Sequence, residues 1–281
     1  MIIDFRVRIP PKDFIEITET VSLPAFLKHY EEMYELQKTI GITSKELVEL
    51  MDEAGITKAV LQAEFEYGDY KLFNQRVAEI VDKYPDRFVG FGSLDPRDGM
   101  VAVRELERTV KDLGFKGLNL QPWVCGLPPN NKRYYPLYAK CVEFDIPVTI
   151  HTGINFSLDR NMNVGRPLNL DEVAHDFQEL KLILNHVGWP WVTESVAVAW
   201  RNPNVYLEIG GIAPKYIAMP GTGWDPLMIY ANSLLQDRVL FATDWPIIPF
   251  QRAVDELKNW SLKEEVKEKI LCKNAQRLLG L

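Results

Sequence analysis

The sequence predicts a (β/α)8 barrel, in one domain spanning residues 1–281. Eight short apolar runs rich in β-formers alternate with amphipathic helical patterns, and eight such units are the number that closes a parallel sheet on itself. The runs end in polar residues of the kinds that do chemistry, which is where barrel enzymes carry their working groups. No G-x-G-x-x-G follows the first run and no P-loop is present, so the open doubly wound sheet of a nucleotide-binding fold is disfavoured.

Each element has its own justification. In IIDFRVRIP, Ile2–Pro10, strict alternation sends Ile3, Phe5 and Val7 to one face and Asp4, Arg6 and Arg8 to the other, the period of a strand with one ionic face. A long excursion over 11–42 follows, with a helix predicted from Pro24 through Lys38; loops of this length are commonly lids. SKELVELMDEAG reads as a helix capped by Ser44 and stopped by Gly55. The units then repeat: ITKAVLQAE before DYKLFNQRVAEIVDKY, RFVGFGSLDP before GMVAVRELERTVKDLG, and FKGLNLQPW before YYPLYAKCVEFD. IPVTIHTG precedes LDEVAHDFQEL, LKLILNHVG precedes PWVTESVAVAW, and NVYLEIGG precedes DPLMIYANSLLQ. RVLFATDWP is the eighth strand, followed by helices over 251–259 and through KEEVKEKILCKNAQRLLGL.

Composition narrows the function. A formal charge of −7 without any Lys/Arg-rich run excludes the basic footprint that nucleic acid requires. No segment approaches eighteen unbroken apolar residues and no signal-peptide pattern opens the chain, so no membrane association and a cytoplasmic location are expected. Three scattered cysteines, Cys125, Cys141 and Cys272, indicate neither disulfides nor a thiolate metal site.

The strand ends supply the candidate site: Arg6 and Arg8, Glu64, Asp95, Asn119 and Gln121, His151, His186, Glu208 and Asp244. Two of only four histidines fall at consecutive strand ends, each followed closely by glycine, which leaves room for a ligand near the backbone. His29 and His175 lie in predicted helices and read as surface residues; Cys125 reads as a passive loop residue. Trp123, Trp189, Trp224 and Trp245 fall in loops at or beyond strand ends, where they can form an aromatic wall for a ligand or seal helices to the barrel.

These motifs, from IID through PDRFVGFGSLDP, IPVTIHTG, LKLILNHVG and RVLFATDWP to NAQRLLGL, resemble the amidohydrolase superfamily, in its branch of small-acid decarboxylases, hydratases and lactonases. The resemblance implies that His151 and Asp244 correspond to metal ligands and His186 to a ligand or proton shuttle. It also exposes a departure, because Arg6 and Arg8 stand where metal-using members carry an H-x-H. Arginine is permanently protonated and has no lone pair to give. At about 5 Å and an effective dielectric of about 20, each guanidinium repels a unit positive charge by roughly 3 kcal/mol. No tightly bound cofactor is therefore expected; His151, His186 and Asp244 could hold at most a weakly bound zinc or manganese ion.

Two roles suit the arginines. They can bind the carboxylate of a small substrate, or they can close an internal ionic network with Asp4, Glu64 and Glu208. The expected function is an enzyme, a hydrolase or carboxy-lyase acting on a small cyclic or aromatic carboxylate. Asp244, His186 and His151 would be catalytic; Arg6, Arg8, Glu208, Trp123 and Trp245 would contact substrate. The alternative is a catalytically silent, anion-binding barrel. A homodimer is an expectation by analogy with other barrels.

Overall fold

The computed structural model describes residues 1–10, 42–64, 69–155 and 160–281. The predicted excursion up to residue 41, its helix over 24–38 and His29 lie outside the described residues.

Eight parallel strands form one sheet in chain order: β1 Ile3–Arg8, β2 Lys58–Gln62, β3 Phe88–Ser93, β4 Gly117–Leu120, β5 Val148–His151, β6 Leu182–Asn185, β7 Val205–Glu208 and β8 Val239–Leu240. A parallel bridge between Val7 and Trp245, with Phe5 N donating to Phe241 O and Arg8 N to Trp245 O, joins β8 to β1 and closes the barrel. The eighth strand is shorter than its sequence suggested, because the chain turns out of regular pairing after Leu240.

The helices fall where hydrophobic periodicity placed them, at Ser44–Glu53, Tyr70–Lys83, Met100–Lys111, Tyr135–Glu143, Asn169–Asp176, Val192–Arg201, Asp225–Ala231 and Phe250–Lys258. The cap of the first is Thr43 rather than Ser44: its hydroxyl accepts from Glu46 N while Glu46 reaches back to Thr43 N, a reciprocal capping box that satisfies two otherwise orphan donors. A short turn at Pro122–Cys125, unforeseen in the sequence, carries Trp123 over the strand ends.

Strand β1 does not keep the strict alternation its sequence displays. Asp4 is opposite Ala59 but Val7 is opposite Leu61, so β1 has one residue too many between them. The bulge splits the apolar residues: Ile3 and Phe5 join a cluster with Val60, Val89, Phe91, Ile183 and Leu240, whereas Val7 belongs to the main core under the helices. Residues of β1, β3 and β6 meet only across the barrel interior, so that second cluster is the interior, and Cys272, Ala275 and Leu278 of the C-terminal segment close it. Arg6 and Arg8 therefore point inward above Phe5, and Asp4 points to the opposite face. The expected ionic face holding all three residues is corrected: a bulge re-aims side chains by shifting the period by one.

Candidate active site

The bulge would orphan one backbone donor and one acceptor, and side chains satisfy both. Arg6 N donates to Asp4 Oδ1 at 3.1 Å, and Phe5 O accepts from Gln62 Nε2 at 3.0 Å. With that backbone held, the Arg6 side chain lies fully buried inside the barrel. Its Nε donates to Asp244 Oδ1 (2.8 Å), its Nη1 to Gln62 Oε1 (2.6 Å), and its Nη2 to Glu64 Oε1. The Asn185 amide, oriented with its oxygen toward Arg6, accepts from Nη1 at 2.8 Å and donates to Glu208 Oε2 at 3.3 Å.

Arg8 stands one level nearer the mouth, and its side chain is 14% exposed. Its Nε lies 3.1 Å from Asp244 Oδ1, its Nη2 3.4 Å from Asp244 Oδ2, and its Nη1 2.6 Å from Glu64 Oε2. Two guanidiniums and two carboxylates thus balance in charge at the top of the barrel, as buried ions must. The expected internal network exists with different members. Glu64 and Asp244 pair with the arginines, while Asp4 binds backbone and Thr243, and Glu208 accepts from Gly210 N.

Electrostatics follow from this packing. Burial alone would raise the Asp244 carboxyl, but Arg8 and Arg6 override it and hold the group well below the usual carboxylate range. Glu208, deeper and wholly buried, is pushed up to about 8 by desolvation despite Arg6, so it is mostly protonated at neutral pH. Asp4 is raised to about 7 by burial, against the hydrogen bonds from Thr243 and the Arg6 backbone.

The two histidines lie together across β5 and β6, with ring centroids 4.8 Å apart. Burial lowers both, His151 well below its ordinary value and His186 to about 4, so both are neutral at pH 7. His151 Nε2 faces Ile154 O at 3.0 Å and His186 Nδ1 faces Gly210 O at 2.8 Å. A carbonyl only accepts, so these nitrogens carry the protons and each ring keeps its lone pair on the other nitrogen. His186 and Asp244 both adopt left-handed backbone angles, φ 59° and 56°, an uncommon conformation that concentrates at working sites.

The glycine beside His151 serves packing rather than ligand room: a Cβ on Gly153 would lie 2.3 Å from Trp189 O. The close approach to the site belongs instead to Gly211, φ 79°, where a Cβ would lie 2.8 Å from His186 Nδ1 and 3.3 Å from Asp244 Oδ2.

Not every candidate gathers here. Trp245 is 1% exposed and stacks on Phe250 in the core, and Trp224 is also buried, which is the sealing role rather than the open aromatic wall. Trp123 does reach the site, 6.0 Å from the His151 ring, and its buried Nε1 has no hydrogen-bond partner among the described residues. Glu208 is fully buried beneath Arg6 instead of at the mouth. Asp95 is tied to Arg97, and Asn119 to Ala63 O and Thr149. Cys125 is buried with its thiol pushed up to about 12, which leaves it inert, and His175 is an exposed helix residue. Gln62, Asn185 and Thr243 join the site without being among the sequence candidates: Gln62 and Asn185 end their strands and Thr243 follows β8, and a polar residue there reads as ordinary by periodicity.

Among solved structures, an uncharacterized TIM-barrel protein of Bordetella bronchiseptica is similar, with 30% identity, a TM-score of 0.81, and 99% of this chain and 98% of that one covered. The gamma-resorcylate decarboxylase of Polaromonas sp. JS666 is 28% identical over 293 residues, covering 83% of this chain and 86% of the relative. The crystal structure of the dihydroxybenzoic acid decarboxylase from Polaromonas sp. JS666, with bound manganese and 2-nitroresorcinol, shares the fold at a TM-score of 0.69 and 23% identity, over 100% of this chain and 97% of that one.

Among the described residues, three at the rim do not suit such a metal. Arg6 and Arg8 offer no lone pair, and both Asp244 oxygens already accept from guanidinium nitrogens. Among the described residues, no three His, Cys, Asp or Glu side chains form a metal-holding group. No helix among the described residues is long and apolar enough to cross a membrane. The family model described as amidohydrolase matches residues 30–281, and with it over most of a barrel whose strand ends bring His151, His186 and Asp244 together, this protein is an enzyme that belongs to the amidohydrolase family.

Proposed function

We propose that this enzyme removes carbon dioxide from a small hydroxylated aromatic acid, with the guanidinium pair of Arg6 and Arg8 at the centre of its site. The observation that carries the reading is the convergence of Arg6 and Arg8 on Asp244 beside two neutral histidines. The name of the Polaromonas relative supports decarboxylation over hydrolysis.

The substrate carboxylate competes with Asp244 for Arg8, the more exposed of the two arginines. Losing those donors raises the proton affinity of Asp244, so binding itself arms the acid. The lone pairs of His151 and His186 accept from ring hydroxyls, and the Trp123 N–H donates to a substrate oxygen. A proton from a ring hydroxyl passes by way of Asp244 to the ring carbon that bears the carboxylate. The carbon–carbon bond then breaks, its electron pair restores the ring as a phenolate, and carbon dioxide leaves. The phenolate regains a proton from solvent, so one proton is consumed overall.

The test uses 2,6-dihydroxybenzoate with the purified protein. Release of carbon dioxide and 1,3-dihydroxybenzene, with more than half of the rate surviving a chelator, is expected. The same acid should raise Tm, as any ligand of the native state does, and Arg8→Ala should abolish that rise. Turnover of lactones or esters with none of any hydroxybenzoate would replace decarboxylation by hydrolysis.

A further inference from the structure

The two charged partners of the site stand on segments that have both left regular pairing. On β1 the extra residue lies between Asp4 and Val7. Toward β8, the backbone bonds Phe5 N to Phe241 O and Arg8 N to Trp245 O enclose three steps of one strand against four of the other, so the eighth strand also carries an extra residue, at Thr243–Asp244. Irregular segments lack the ladder that would fix their alignment, and something else must set it.

One side chain bridges both. Asp4 Oδ1 accepts from Arg6 N and from Thr243 N, each at 3.1 Å, and Asp4 Oδ2 accepts from Thr243 Oγ1 at 2.6 Å. Thr243 Oγ1 in turn accepts from Trp245 N at 3.0 Å, and Trp245 O accepts from Arg8 N at 3.0 Å. The backbones of Arg6, Thr243, Trp245 and Arg8 are thus linked in one chain of bonds that starts at a single carboxylate and is buried at every residue but Arg8. Asp4 points away from the barrel interior, so no substrate bound at the mouth would touch it.

We infer that Asp4 is a positioning residue, which sets the alignment of Arg6 and Arg8 on Asp244 through the backbones of Arg6 and Thr243. The inference rests on the reading of those three residues as the working group. A carboxylate serving only to fill a buried hydrogen-bonding site would stabilise the fold without affecting the chemistry of the folded enzyme.

The experiment separates the two. With 2,6-dihydroxybenzoate, Asp4→Ala should lower kcat about 100-fold, the cost of a misplacement of about 1 Å, while KM moves less than about threefold. Asp4→Asn keeps one acceptor oxygen and should lose only about tenfold. Thr243→Val should fall between them, Thr243→Ser should recover to within about twofold, and adding Thr243→Val to Asp4→Ala should cost nothing further, because both act on one chain of bonds. An arm that needs no turnover is NMR of ¹⁵N-arginine-labelled protein. The Arg6 Nε–H, bonded to Asp244 and buried, should exchange at least about tenfold faster in Asp4→Ala. If the wild type does not decarboxylate the acid, the functional reading fails and the exchange arm still decides on positioning. Unchanged Arg6 exchange and unchanged kcat in folded Asp4→Ala would overturn the inference; should that variant not fold, the same pair of results in Thr243→Val overturns it.

Discussion

The seam between β5 and β6 and the seam between β8 and β1 bring equally important residues to the same rim by different means. From Val148 opposite Leu182 to His151 opposite Asn185 the first is an unbroken parallel ladder, and the two histidines emerge from it neutral. At the second, a single bridge and a few backbone bonds leave the alignment to Asp4, Gln62 and Thr243, and the residues that emerge are ions. A regular ladder with one carbonyl bond to each ring presents the uncharged histidines, whereas two cations and an anion within 3.4 Å need side chains that fix the backbone beneath them.

The largest effect is expected from making the charged seam resemble the neutral one. Arg6→His combined with Arg8→His removes both cations and places two imidazoles on the inward face of β1, within reach of the region held by His151 and Asp244. Four N/O donors around one point satisfy zinc or manganese. Elemental analysis should show well under one metal per chain in the natural protein and nearly one in the double variant. Stoichiometric, chelator-sensitive metal in the natural protein would show that His151, His186 and Asp244 suffice and that the repulsion from the arginines is overestimated.

A smaller intervention removes only the anion. Asp244→Asn should lower turnover about 100-fold or more by taking away the proton carrier. It also leaves two buried guanidiniums facing one carboxylate, and breaking such a pair costs about 3–5 kcal/mol, readable in urea unfolding. His151→Asn at the neutral seam should cost far less stability, since no charge is uncovered. Equal destabilisation by the two variants would mean that the ionic seam is no more dependent on its partners than the ladder is.

The same contrast explains what the sequence could disclose. His151 and His186 are legible because a regular strand carries its last residue, or the one just after it, to a predictable place, and Asp244 because it follows the last apolar run. Asp4 does not share the face of Arg6 and Arg8 as alternation implies, since alternation holds only while the register does and the bulge interrupts it. Gln62 and Asn185 act through bonds to residues far away in the chain, such as Gln62 with Phe5 and Arg6, and nothing local marks them. The two roles open to Trp245 are not distinguishable in the sequence, because proximity to a strand end does not reveal to which side of the sheet a residue turns. The eight-unit pattern survived all this, because a count of apolar runs does not depend on which side each residue faces.

The finest test concerns the level beneath the charged seam, where Glu208 is buried and held mostly protonated. Its folded value, about 8, lies above its ordinary value of 4.5, so between those limits the native state binds more protons than the unfolded chain. The contribution of such a group is fully present below pH 4.5 and is lost as pH rises through about 8. Stability should therefore decline with rising pH over that window, at up to about 1.4 kcal/mol per pH unit from this one group. Glu208→Gln keeps the shape and an acceptor for Gly210 N but cannot titrate, so urea unfolding of this variant from pH 5 to 8 should show a shallower slope. The Asp4 contribution, ending near 7, would remain in both proteins and sets the residual slope. Parallel slopes for the two would mean that Glu208 is ionised and paired at neutral pH, which would place a third carboxylate in the network and leave the charges of the rim unbalanced by one.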